Sequence, residues 1–94
     1  MSVRIRYSDE ALLRMRERRI TADEVESVMA AGETLRDYLD DRPHPSRLVL
    51  AWVAQRPLHV VYAVNAAEQE HIVITVYQPD PARWSPDFRT RVRR

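Results

Sequence analysis

The sequence predicts a single α+β domain, residues 1–94, in which two N-terminal helices pack on one face of an antiparallel β-meander. Two amphipathic segments with capping signals lie between residues 8 and 32, and four runs rich in branched and aromatic residues, separated by turn-forming stretches, lie between 34 and 78. A chain of 94 residues with 45% hydrophobic content suits one small core and leaves no room for a second.

SVRIRY (2–7) alternates Val3, Ile5 and Tyr7 with Arg4 and Arg6, the period of a half-exposed strand, and its shortness places it at an edge. Ser8 is a helix N-cap with Asp9 and Glu10 in the first turn, and the helix runs to about Arg18 with Ala11, Leu12 and Met15 as its apolar stripe. Thr21 and Glu24 have capping-box spacing and open a second helix whose buried stripe is Ala22, Val25, Val28 and Met29. Gly32, the only glycine, is placed to end that helix in the left-handed conformation. TLRDYL (34–39), RLVLAWV (47–53), LHVVYAVN (58–65) and HIVITVYQ (71–78) read as strands, with the loop DDRPHPS after the first. Pro79 and Pro81 stop pairing, and Ser85 with Pro86 can cap and start a last basic turn of helix.

Putting the larger apolar set of each strand on one face aligns Leu48, Leu50 and Trp52 with Leu58, Val60, Tyr62 and Val64, and these with Ile72, Ile74 and Val76. Trp52 then faces Val60 and Tyr62 faces Ile74, with loops at 55–57 and 66–70. The other face carries Arg47, Val49, Ala51, Val53, His59, Val61, Ala63, Val73, Thr75 and Tyr77. In this register His59 stands opposite Tyr77, their Cβ atoms about 5 Å apart.

Charge is segregated although the net is only +1: residues 1–20 carry six Arg and three acids, 21–46 two Arg and seven acids, 79–94 five Arg and two acids. All fifteen cations are arginine, which suits two-pronged contacts to phosphate or carboxylate. No apolar run has membrane-spanning length and residues 1–15 lack a secretory layout, so the expected location is the cytoplasm. With no cysteine, and with His44, His59 and His71 lacking metal-ligand spacing, neither a thiolate metal site nor a cofactor is expected. Neither a glycine-rich phosphate loop nor a GxSxG elbow occurs.

RNA cleavage without a metal needs a group to take the 2′-hydroxyl proton, cations to hold the phosphate and a donor for the leaving oxygen. His59 can move a proton near neutral pH, Tyr77 can orient or donate, and Arg18, Arg47 or Arg83 can hold phosphate. The same His59–Tyr77 pair also reads as an ordinary cross-strand contact at the sheet edge. Arg14, Arg16 and Arg18 fit a solvated, salt-bridged helix face, with Arg18 at its end. Trp84 and Phe88 fold back on the core or stack bases. Asp37, Asp40 and Asp41 form a loop, or a surface for a basic partner.

EALLRMRERRITADEVESVMAAGE, RLVLAWVAQRPLHVVYAV and HIVITVYQPDPARW resemble the bacterial family named domain of unknown function 4258, from about Tyr7 to Trp84. That family is similar to the RelE/ParE-type toxins, small α+β proteins. The resemblance implies a toxin of a type II toxin-antitoxin pair that cleaves free or ribosome-bound mRNA, with a cognate antitoxin of zinc-finger or helix-turn-helix type as partner. It also places Arg14, Arg18, Arg47, His59 and Tyr77 on family-typical positions. Glu10 stands where the family usually has histidine, and Arg19 where it favours glycine. The rival expectation is a non-catalytic module that occupies a protein target, as gyrase-poisoning relatives do, or a regulatory subunit.

Overall fold

The computed structural model describes residues 3–92, and Ser2 of the first expected strand lies outside the described residues. The elements are β1 (Arg4–Tyr7), α1 (Asp9–Arg18), α2 (Ala22–Ala31), β2 (Glu33–Tyr38), β3 (Ser46–Val53), β4 (Arg56–Asn65) and β5 (Glu70–Tyr77). They form two helices and one five-stranded mixed sheet of order β1-β5-β4-β3-β2.

Local chemistry sets the helix boundaries. Ser8 Oγ accepts the Ala11 N–H at 3.0 Å while its own hydroxyl donates to the Ile74 carbonyl at 2.8 Å, so one side chain caps α1 and pins it to β5. Thr21 and Glu24 complete a reciprocal capping box at the start of α2. α1 ends in left-handed backbone at Arg19, φ 54°, a conformation that costs a β-carbon-bearing residue about 1 kcal/mol. Arg19→Gly is therefore expected to raise stability by up to about 1 kcal/mol in chemical denaturation. An unchanged midpoint would show that Arg19 is not strained.

Gly32 corrects an expectation. Its φ of −72° is ordinary extended backbone, not left-handed. Glycine is needed there because a β-carbon would come within 2.3 Å of the Val28 carbonyl oxygen and 3.0 Å of that of Leu50.

The sheet is not wholly antiparallel. β2 to β5 make the expected antiparallel meander, but β1 pairs with β5 in parallel, from Arg4 opposite Glu70 to Tyr7 opposite Val73. The backbone bond from Ser8 N–H to the Val73 carbonyl holds the exit of β1 in this direction.

Register also differs at two places. Ala54 and Gln55, φ 50° and 67°, close the β3–β4 hairpin as a two-residue turn instead of the expected loop at 55–57. Trp52 consequently faces Pro57, and Val60 faces Val49. A shift of three residues is odd, so β3 turns over: Arg47, Val49, Ala51 and Val53 join the face of Leu58, Val60 and Tyr62, and Leu48, Leu50 and Trp52 move to the face of His59. In β5 a bulge leaves Ile74 without a direct partner and sets Tyr62 opposite Val73. The β4–β5 turn is Ala66–Gln69, one residue shorter than expected.

The core follows from this register. Ala11, Ile20, Val25 and Val28 cluster with Val49, Leu58, Val60, Tyr62, Val73 and Val76, all buried. After β5 no helix forms at Ser85–Pro86; residues 79–92 are turns with one isolated bridge, Trp84 to Arg91. Among the described residues no helix is long and apolar enough to cross a membrane.

Candidate functional site

Alternation along β4 and β5 sends His59 and Tyr77 to the side of the sheet away from the Val60–Val76 core, and the two are direct cross-strand partners as the sequence requires. That side is not bare. Pro79 and Pro81 follow the end of β5, an interior strand, and the segment beyond them returns across His59. Trp84 meets the imidazole edge-on with centroids 4.5 Å apart, and Tyr77 meets it at 5.2 Å.

His59 is fully buried with both ring nitrogens engaged. Nε2 lies 2.9 Å from the Phe88 carbonyl oxygen, which can only accept, so Nε2 carries the proton and donates. The neutral ring then accepts at Nδ1 from the Tyr77 hydroxyl, 3.2 Å away. Burial pushes the imidazole below its ordinary pKa, and the Phe88 carbonyl only partly offsets this. Burial likewise raises the Tyr77 phenol, with Tyr38 adding to the rise and Arg91 opposing it. Both groups are thus neutral at physiological pH.

Beside this pair opens a cleft of about 670 Å³ whose lining includes Arg18, Tyr77, Asp80, Arg83, Trp84 and Arg91. Three guanidinium groups against one carboxylate make it a cationic recess. Arg83 approaches Asp80 only at 3.9 Å with both side chains mostly exposed, which ties up little of its charge. Arg91 lies over the Trp84 ring, 5.9 Å from its centroid. Among the described residues Arg18 has no carboxylate partner. Its backbone is held from below: Arg56 donates to the Arg18 and Arg19 carbonyls at 3.2 and 3.4 Å and pairs with Glu24 at 3.2 Å, locking the α1–α2 junction against the start of β4.

The structure therefore gathers Arg18, Tyr77 and Arg83 around one cleft and sets His59 behind it, sealed from solvent. It does not bring in Arg14, which is on the exposed side of α1 paired with Glu17 at 3.0 Å. Nor does it bring in Arg47, which the β3 register puts on the opposite face, bonded to Asp37 at 2.8 Å. Arg56 and Arg91 escaped sequence reasoning as parts of the site, whereas Trp84, expected to fold back on the core or stack bases, is buried against His59. The arginine-rich tail composition pointed toward Arg91; nothing local marks Arg56 as the clamp of a helix junction. No group of three or more His, Asp or Glu able to hold a metal occurs among the described residues.

No curated protein and no solved structure matches the chain. A family model does, over residues 7–78, a stretch that contains Arg18, Arg56, His59 and Tyr77 and stops before Arg83, Trp84 and Arg91. Since that match spans most of the sequence, the chain belongs to the family described as Domain of unknown function (DUF4258).

Proposed function

We propose that the chain is a cytoplasmic toxin of the RelE/ParE type, with two helices against one sheet face, which holds an RNA backbone in its arginine-lined cleft and cleaves it without a metal. The observation that carries this reading is the convergence of Arg18, Arg83 and Arg91 with the Tyr77 hydroxyl on one recess. Guanidinium groups suit phosphate oxygens, and Trp84 offers an aromatic ring at the same place. Its regulator on this reading is a cognate antitoxin of zinc-finger or helix-turn-helix type.

Tyr77, not His59, is the group that meets the RNA. The 2′-oxygen attacks phosphorus and the bond to the 5′-oxygen breaks; the 2′ proton passes to Tyr77 Oη as the phenol proton moves to His59 Nδ1, water protonates the leaving oxygen, and the hydroxide so formed takes the extra proton back from His59 through Tyr77. The arginines hold the extra negative charge of the crowded phosphate. His59 acts through Tyr77, with its Nε2–H fixed on the Phe88 carbonyl.

Fluorescence anisotropy with a single-stranded RNA, paired with mapping of its cleavage products, tests the reading. Replacing Arg18, Arg83 and Arg91 together by Ala is expected to weaken binding and to reduce the salt dependence by about two units of log K per log [salt], at about 0.7 per phosphate contact. Tyr77→Phe keeps binding and loses cleavage. Absence of RNA binding at low salt, or undiminished cleavage by Tyr77→Phe, would defeat it. Binding without cleavage by the wild-type chain supports the second reading, a module that occupies its target without chemistry; the complete burial of His59 favours that alternative.

A further inference from the structure

The segment after β5 is built as a separate piece. Among the described residues the backbone-to-backbone hydrogen bonds of 80–92 close inside it: Arg83 and Trp84 N–H to the Asp80 carbonyl, Ser85 to Thr90, Phe88 to Ser85 and Val92 to Arg83. Its side-chain bonds behave alike, Ser85 and Asp87 serving Thr90 and Arg89. Prolines 79, 81 and 86 remove three donors that could have extended the sheet.

Beyond Pro79, itself fully buried, this piece meets the body through two inner and two outer contacts among the described residues. His59 Nε2 donates to the Phe88 carbonyl, Trp84 packs on the His59 ring, Phe88 meets Trp52 edge-on at 5.7 Å, and Arg89 pairs with Glu33 at 2.7 Å. The outer two are weak fasteners. Arg89 and Glu33 are about half exposed, and Trp52 is 55% exposed despite its contact. Phe88 itself sits in left-handed backbone, φ 61°, an unfavourable conformation for a bulky side chain that release from the body would relieve.

We propose that residues 80–92 form a strap that hinges at the buried Pro79, opens as a unit and bares the sheet face of Trp52, His59 and Tyr77 to a nucleic-acid strand. Opening breaks no ladder of the sheet, and the internal backbone bonds of the strap, no longer screened by the body, exchange with solvent in the open state. The closed strap supplies Arg83 and Arg91 to the cleft; the open strap uncovers the Tyr77 hydroxyl with the His59 ring behind it. The identity of the occupant rests on the RNA reading above, whereas the opening does not.

Hydrogen exchange of the full chain without RNA measures the opening, with diethyl pyrocarbonate modification of His59 followed in parallel. Residues 83–92 and His59 are expected to become accessible together, well before Val60 and Val76. Glu33→Arg should speed both signals about fivefold, near the upper effect of an exposed ion pair, without moving the thermal midpoint of the body. Glu33→Arg with Arg89→Glu should restore the original rates. Exchange of residues 83–92 only together with the core, or rates indifferent to the Glu33 and Arg89 charges, would overturn the strap. Adding single-stranded RNA then separates the two ideas: an opening strap whose exchange RNA leaves unaltered sinks the RNA reading alone.

Discussion

Gly32→Ala is expected to cost about 3 kcal/mol of stability, the upper end for overpacking, because both groups the new methyl would strike are main-chain. A flexible side chain could swing away from a contact of 2.3 Å; the Val28 carbonyl cannot, since it accepts the Gly32 N–H at 2.7 Å and ends α2. Moving away from it drives the residue toward Leu50 of β3, already 3.0 Å distant. Relief therefore requires prising α2 from the sheet, which uncovers Val25 and Val28. Urea denaturation measures the effect. A loss under about 1 kcal/mol would show that the helix end yields more easily than close packing allows.

That glycine shows where the sequence was legible and where it was not. Its place at the end of α2 could be read, but its reason could not, since a close approach between distant segments has no local sign. Caps were readable for the opposite cause: Ser8 and Thr21 act on backbone groups three residues away. The β3–β4 turn was missed because Ala54–Gln55 lacks the Asn or Gly that left-handed turns favour, and with it went the face assignment of all of β3. Arg47 was placed wrongly by that error alone. His59 and Tyr77 survived because β4 and β5 pair correctly at that end, beyond the bulge at Ile74. The cover over them was legible only in part: Trp84 and Phe88 were expected to fold back, but a non-helical segment held by a carbonyl, two aromatic edges and one ion pair leaves no periodicity to show that it lands on His59.

His59→Ala should destabilise the chain by about 3 kcal/mol, comparable to truncating a large core side chain. The imidazole is buried between Tyr77 and Trp84, and its loss leaves a cavity together with a Phe88 carbonyl and a Tyr77 hydroxyl deprived of their partner. Part of the loss falls on the strap, so protease cutting within residues 80–92 should increase more than global unfolding accounts for. The wild-type protein gives the same answer by titration. His59 has a lowered pKa in the folded chain, so below the ordinary value of about 6.5 the unfolded chain binds protons that the folded ring refuses. Its contribution is present above that pH and is lost as pH falls through the folded value. His71, also lowered by burial and by Arg47, acts in the same direction, so the slope attributable to His59 is the part that His59→Gln removes. Stability that stays level between pH 7 and 5 in the wild-type chain would mean that the ring is reached by water, and the sealed position behind Tyr77 would have to be abandoned.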